Sequence, residues 1–340
     1  MSIAGANASK GSLRTEFEQL FDCVQPFQSA LSLFIEEEVK NFEDEIRSAV
    51  HYCFQGGGKR IRPTLVYLSG VNDLGSYTTD MVKASAVIEM IHVATLVHDD
   101  ILDDADTRHG KDSVSAKFGS DAAVLIGDAI FAHALKLAAS FPTTAVCSAV
   151  AQATRRVCAG EIAQTYQRGE VNYSLKNYFR IIDLKTAELF RVACFLGAHV
   201  TEKGPIIEKA YGDFGRHLGL AYQMFDDLVD LLGDENEIGK TLGTDLISGK
   251  YTLPVILLLN RMSEKEAAVL LNRLKSQEEG AVKELRQSIG SHSVLAEVAS
   301  LFNEKISQAR KALDSTGGGS DQMQSLCDFV ENQGRKVLLI

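Results

Sequence analysis

Positive charge is in short supply in this 340-residue chain: 35 lysines and arginines stand against 45 aspartates and glutamates, a formal charge of -10. Such a balance repels phosphate backbones and anionic headgroups. It excludes broad electrostatic binding of nucleic acid or membrane and leaves room only for a local basic pocket. The six cysteines (Cys23, Cys53, Cys147, Cys158, Cys194, Cys327) include no Cys-x-x-Cys pair and follow no secretory signal. That argues against a zinc site or a disulfide framework and predicts buried free thiols in a reducing cytoplasm. No uninterrupted apolar run approaches the ~20 residues of a membrane span; the longest, Leu253–Leu259, contains Pro254. Linkers rich in Pro, Gly or Ser, low-complexity tracts and repeats are missing too, which predicts one domain over residues 13–340. Residues 1–12 are small and polar with one lysine and no arginine, so they read as a mobile tail and not as an Arg-rich transit peptide.

Strand-like alternation is equally scarce, and the 45% of hydrophobic residues recur mostly at helical steps. Leu31, Phe34, Ile35, Val39, Phe42, Ile46, Val50 and Phe54 predict one amphipathic helix from Ser29 to Gln55. Further helices are predicted from Thr79 through Asp103, Ser113–Phe118, Ala122–Ser140 with Ser120 as N-cap, Thr144–Gln167, Ser174–His199 and Pro205–Leu232. A loop over Asp234–Lys250 follows. The capping box Ser263-Glu264-Lys265-Glu266 then opens a helical C-terminal third interrupted at Gly317–Gly319. The fold class expected is all-α, a single large helical bundle around a central cavity.

Two acidic runs interrupt this apolar pattern. In Val97-His98-Asp99-Asp100-Ile101-Leu102-Asp103-Asp104, a turn of about 100° per residue puts Asp99 and Asp103 on one helix face with Asp100 flanking them. The same spacing recurs at Asp226, Asp227 and Asp230. One such set alone would read as a solvated acidic face. Two sets in core-like helices need compensation, and carboxylate oxygens so spaced suit Mg²⁺ that is also holding phosphate, which points to a shared metal site. Separately, Gly56-Gly57-Gly58 ends a helix, and Lys59-Arg60-Ile61-Arg62 leads into Pro63 at the start of the next. Free N–H groups at such a joint favour anions, which makes Lys59 and Arg62 phosphate candidates.

These paired aspartate-rich runs resemble those of the all-trans isoprenyl diphosphate synthases, and the resemblance covers nearly the whole chain after residue 40. It implies Mg²⁺, about three ions per active site, held by Asp99, Asp100, Asp103, Asp226, Asp227 and Asp230, the last through water. Asp104 and Asp106 would shape the first run. Arg108, Lys185 with Thr186, Gln223 and Lys240 match the family's helpers for the allylic diphosphate, with Lys185 and Lys240 contributing to catalysis. Lys240 and Lys250 resemble a loop that closes over the diphosphate and excludes water. Isopentenyl diphosphate would be held by Lys59, Arg62 and His92. His109 stands where the family generally has a second arginine, which implies a weaker or pH-sensitive pocket.

The implied reaction is head-to-tail (1′-4) condensation: loss of diphosphate leaves an allylic cation, the isopentenyl double bond attacks it, and a proton departs. Product length is read four and five residues before Asp99, about 6 to 7.5 Å deeper along the helix. Small residues stand there, Thr95 and Ala94, with Ile91 or Phe131 as a deeper floor. This resembles the long-chain type and implies a product of about thirty to fifty carbons. A homodimer, and peripheral membrane association through the product, are further implications. The competing readings are a short-chain farnesyl or geranylgeranyl synthase, a class I terpene cyclase and a non-catalytic helical subunit. A cyclase usually carries an Asn/Ser/Glu motif in place of the second aspartate set.

Overall fold

A computed structural model describes residues 22–55, 58–72, 75–108, 110–168, 174–233, 246, 249–276, 278, 280–291, 293–316 and 321–338. The fold is all-α. The expected helix over Ser29–Gln55 is two helices, α1 (Gln25–Val39) and α2 (Asp44–Phe54). Glu43 leaves helical geometry (φ -58°, ψ 147°), and Asp44 and Glu45 then occupy the first turn of α2, where the helix dipole favours them. The break seats Phe42 in the core 4.6 Å from the His133 ring, a tertiary contact that periodicity cannot register.

Next come α3 (Ile61–Gly70) and the long α4 (Thr79–Leu102), whose N-terminus is capped by Thr78 accepting from the Met81 N–H at 3.2 Å. Beyond the first acidic run lies a two-stranded antiparallel hairpin, β1 (Thr107–Arg108) and β2 (Lys111–Asp112), where the sequence had indicated only a turn. Gly110 has φ +77°, a conformation that its missing Cβ makes cheap. Helix α5 (Val114–Phe118) is capped by Ser113, whose Oγ accepts from the Ala116 N–H at 3.1 Å, so Ser113 caps the expected helix and is not its first residue. Helix α6 (Ser120–Ala139) is entered from Gly119 at φ +90°, so Ser120 is its first residue and not its cap.

Helices α7 (Thr144–Tyr166) and α10 (Pro205–Leu232) follow the expected boundaries closely; the others are α8 (Leu175–Ile182), α9 (Glu188–His199), α11 (Leu253–Leu259), α12 (Glu264–Lys275), α13 (Ala281–Ser291), α14 (Val294–Ala312) and α15 (Asp321–Leu338), the last four forming the expected helical C-terminal third. The capping box at Ser263 and Glu266 is formed. The helix expected over Ser174–His199 is divided by a π-helical segment, Asp183–Ala187, between α8 and α9. The interruption at Gly317–Gly319 and most of the loop over Asp234–Lys250 lie outside the described residues.

The chain forms two compact units, one from Phe21–Arg155 with Leu189–Gly215, the other built around Arg156–Glu188 and Arg216–Ile340. The first is centred on α4, which packs along α6 and against α3 and α1. Its helices approach closely: a Cβ on Gly197 of α9 would lie 2.2 Å from the Val66 carbonyl of α3. In the second, α11 is buried along its whole length and packs against α8, α13 and α14.

Two expectations need correction. Helices α4 and α6 are long and apolar enough to cross a membrane by length and composition, although no uninterrupted apolar run was evident. Hydropathy averaged over a helix tolerates the few charges that break a run, and these two helices bury much of their apolar surface against each other and their neighbours. The cysteines are all free, but only Cys194 and Cys327 are buried; Cys23 and Cys158 are exposed, because helical position and not residue type decides which way a small side chain faces.

Phe302 of α14 is fully buried and fills the space over Gly334 of α15, where a Cβ would lie 2.6 Å from its ring. Phe302→Ala is expected to destabilise the protein by about 3–5 kcal/mol, read as a lowered midpoint in urea with the m-value unchanged.

Candidate active site

The unit centred on α4 carries the first acidic set. The Asp103 N–H donates to the Asp99 carbonyl at 2.9 Å, so these two residues stand one turn apart at the end of the helix, both half-buried. Asp100 differs: it is 2% exposed, and the Arg108 guanidinium grips it, with Nε 2.7 and 2.9 Å from its two oxygens and Nη2 at 2.6 Å. Asp104 is exposed and left-handed (φ +49°), ending the helix. The Asp106 carbonyl accepts from the Ser113 N–H at 2.8 Å. Both therefore shape the turn through their backbone.

Along α4 up to Asp99, the residues His92, Thr95, Leu96 and His98 are half-buried, and Glu89 is half-buried with its carboxyl desolvated, whereas Ile91 and Ala94 are fully buried. At about 100° per residue Thr95 lies about 40° from Asp99 around the helix, and Ala94 about 140°. The reading from depth alone had treated the two alike. Beside this stripe sit the basic residues of α3. Arg62 Nη1 is 3.0 Å from His92 Nε2, and its guanidinium lies 5.0 Å from the centre of the Phe190 ring. Arg60, left-handed at φ +45°, donates to Ser32 Oγ at 2.6 Å, and Lys59 is half-buried. Glu89 was missed in the sequence. Burial pushes its carboxyl above the ordinary carboxylate range, while Arg60 and Arg62 pull it partway back.

The second unit carries the other set on α10. Asp226 is exposed and Asp230 half-buried, whereas Asp227 is 4% exposed and held at both oxygens, by Tyr178 Oη at 2.6 Å and Gln223 Nε2 at 2.8 Å. Gln223 thus serves Asp227 at i+4 and not Asp226 at i+3. Its own Oε1 accepts from Thr186 Oγ1 at 2.7 Å, which links the π segment to the acidic set. Lys185, next to Thr186, is ion-paired with Glu161 and donates to Gln164 Oε1 at 3.0 Å. Tyr178, Glu161 and Gln164 were missed in the sequence, because no spacing rule links α8 to α10 or α7 to the π segment. Lys250 is half-buried; His109 and Lys240 lie outside the described residues.

All the carboxylate donors are oxygens, which suits a hard divalent cation. Among the described residues no group of three or more His, Cys, Asp or Glu side chains is close enough to hold a metal by itself. That arrangement fits Mg²⁺-like binding, in which one or two carboxylates share the ion with water and substrate phosphate, and does not fit an all-protein cage. Asp99, Asp103 and Asp230 are half-buried and Asp226 is exposed, whereas Asp100 is buried against Arg108 and Asp227 against Tyr178 and Gln223.

Comparison with known proteins agrees with this chemistry. The polyprenyl synthetase family profile matches residues 43–290, and the chain belongs to that family. It is a prenyltransferase, a long-chain polyprenyl diphosphate synthase. It is 35% identical over 267 residues to the octaprenyl diphosphate synthase of Haemophilus influenzae, covering 78% of this chain and 79% of that one. It is also 35% identical over 282 residues to heptaprenyl diphosphate synthase component 2 of Bacillus subtilis, covering 82% and 80%. Among solved structures, the polyprenyl synthase of Caulobacter crescentus, complexed with calcium and isoprenyl diphosphate, superposes with a TM-score of 0.82 at 27% identity over 94% of this chain and 97% of that one.

Arg108→Met leaves the Asp100 carboxylate buried without the guanidinium, and should cost about 3 kcal/mol in urea denaturation; Asp100→Asn combined with Arg108→Met should recover part of that loss. A raised carboxyl pKa in the folded state means that the fold prefers the neutral acid, so the contribution of Glu89 is present at low pH and is lost as pH rises through its folded value. Glu89→Gln is therefore expected to melt above the native chain at pH 7, with the gap closing towards acid pH. Equal melting temperatures at pH 7 would count against it.

Proposed function

We propose that this enzyme is an all-trans polyprenyl diphosphate synthase that uses Mg²⁺ and adds isopentenyl diphosphate units to an allylic diphosphate, making a product of about thirty to fifty carbons. The observation that carries the reading is the division of labour within each acidic set: a buried second aspartate fixed by its own partners, and two accessible carboxylates a turn apart. Asp99 with Asp103, and separately Asp226 with Asp230, would each hold a divalent cation, which when bound neutralises the charge developing on the departing diphosphate. The family resemblance had also given Asp100 and Asp227 as direct ligands; their internal bonds favour a role in orienting the accessible pair.

Lys185 exchanges its Glu161 partner for a diphosphate oxygen, and Thr186 and Gln223 keep Asp227 in place while it does so. Arg108, one face of its guanidinium committed to Asp100, adds positive charge beside the first set. Lys240 and Lys250 cover the diphosphate and keep water from the allylic cation. Arg62, steadied by His92 and the Phe190 ring, holds isopentenyl diphosphate with Lys59; the family resemblance would add His109. The isopentenyl double bond forms the new carbon–carbon bond, and the proton lost in restoring a trans double bond passes to the departing diphosphate.

The product length is supported by small residues above the buried floor of α4, and by the octaprenyl and heptaprenyl names of the relatives. A homodimer is supported by the exposed Val124 and Leu125 on α6, and a cytoplasmic setting by the free thiols. Light scattering on the purified chain tests the first.

Asp99→Ala and Asp226→Ala should each lower Mg²⁺-dependent incorporation of isopentenyl diphosphate on the order of 10². Near-normal turnover in both folded variants would remove the metal reading. Thr95→Phe, on the Asp99 face, should shift dephosphorylated products towards fifteen to twenty carbons on chromatography, a barrier about 6 Å below the carboxylates. Ala94→Phe should do so only with a loss of about 1–3 kcal/mol, because its methyl is already packed. A native product that stops at fifteen or twenty carbons would refute the long-chain length.

A further inference from the structure

The π segment Asp183–Ala187 is an interruption that a helix of this composition does not need, and it carries Lys185 and Thr186. In an α-helix, residues five apart point about 140° away from each other. A π turn closes i to i+5 instead, which brings such residues to the same side. Asp183 and Glu188 are five apart at the two ends of the segment, and one guanidinium spans them: Arg156 Nη2 lies 3.1 Å from Asp183 Oδ2 and Nε 2.8 Å from Glu188 Oε2. Glu188 is 1% exposed. Arg216 grips Asp183 from α10, with Nε at 2.5 Å and Nη2 at 3.0 Å.

One turn beyond Arg156 on α7, Gly160 gives the segment its seat. A Cβ there would lie 2.8 Å from the Lys185 backbone nitrogen and 2.9 Å from Leu184 Cβ. The next residue of α7, Glu161, and then Gln164 receive the Lys185 ammonium. Two successive turns of α7 therefore meet the segment: Arg156 at its winding, Gly160 at its depth, and Glu161 and Gln164 at its lysine. Were the segment to relax to α geometry, Asp183 and Glu188 would part.

We infer that Arg156 is a positioning residue of the prenyl transfer reaction: its fork across Asp183 and Glu188 holds the π winding that aims Lys185 and Thr186 at the allylic diphosphate. The inference rests on the proposed role of Lys185. Arg156 touches neither substrate nor cation in this scheme, so its loss should act on one substrate only.

The test compares Arg156→Met, the double variant Arg156→Met with Glu188→Gln, and Lys185→Ala, with farnesyl diphosphate and isopentenyl diphosphate as substrates. The double variant removes the fork without stranding the buried Glu188 charge, and circular dichroism with thermal melting establishes that it is folded. A group displaced by about 1 Å can cost on the order of 10², so the double variant should raise KM for farnesyl diphosphate about tenfold or more. KM for isopentenyl diphosphate should stay within about twofold, because Lys59, Arg62 and His92 belong to the other unit. Adding Lys185→Ala to it should cost little beyond Lys185→Ala alone, since both changes remove one interaction. Equal rises in both KM values, full additivity, or an unchanged farnesyl diphosphate KM alongside an impaired Lys185→Ala would overturn the positioning role alone. A Lys185→Ala enzyme with native KM would overturn the diphosphate reading of that lysine, and the inference with it.

Discussion

Everything in the two acidic helices depends on what is done with a carboxylate that has been taken out of water. Asp100 and Asp227 sit at 2% and 4% exposure in helices whose other buried residues are almost all apolar, where an unpaired charge would be untenable. Asp100 is met by a guanidinium, and Asp227 receives a phenol and an amide. The consequence is the same in both. The buried aspartate is fixed by its partners, and the aspartates on either side of it stand at more accessible positions.

The buried aspartates also explain why apparently peripheral elements belong to the site. Arg108 reaches Asp100 from the first strand of a short hairpin, so the hairpin is the means by which the first acidic set is closed. Tyr178 stands on α8 and Thr186 on the π segment, and both terminate on the Gln223–Asp227 pair of α10. A string of hydrogen bonds thereby makes the geometry of the second set depend on the winding of a neighbouring helix.

The cations are managed by the same rule. Lys185, Arg62 and Arg60 are each paired or supported within their own unit: Lys185 by Glu161, Arg62 by His92 and the Phe190 ring, Arg60 by Ser32. A cation already oriented by a weaker partner loses less freedom when a diphosphate replaces that partner, which is how preorganisation favours binding.

The sequence alone determined the all-α class, most helix boundaries, the two i, i+1, i+4 acidic sets and the basic joint before α3, because each is a local pattern read within one or two turns. It erred where a distant neighbour decided the outcome. The helix through Ser29–Gln55 broke to bury Phe42 beside His133, and Ser120 gave up the cap to a left-handed Gly119. Spacing places Asp100 and Asp227 on the helix, but only the fold brings Arg108 to the one and Tyr178 to the other. Tertiary structure alone also revealed the π segment and its Arg156 fork, since Asp183 and Glu188 become neighbours only after the helix has been overfilled by one residue. Local spacing fixes which residues share a helix face, whereas the partner that meets each buried charge is set by packing between segments far apart in the chain.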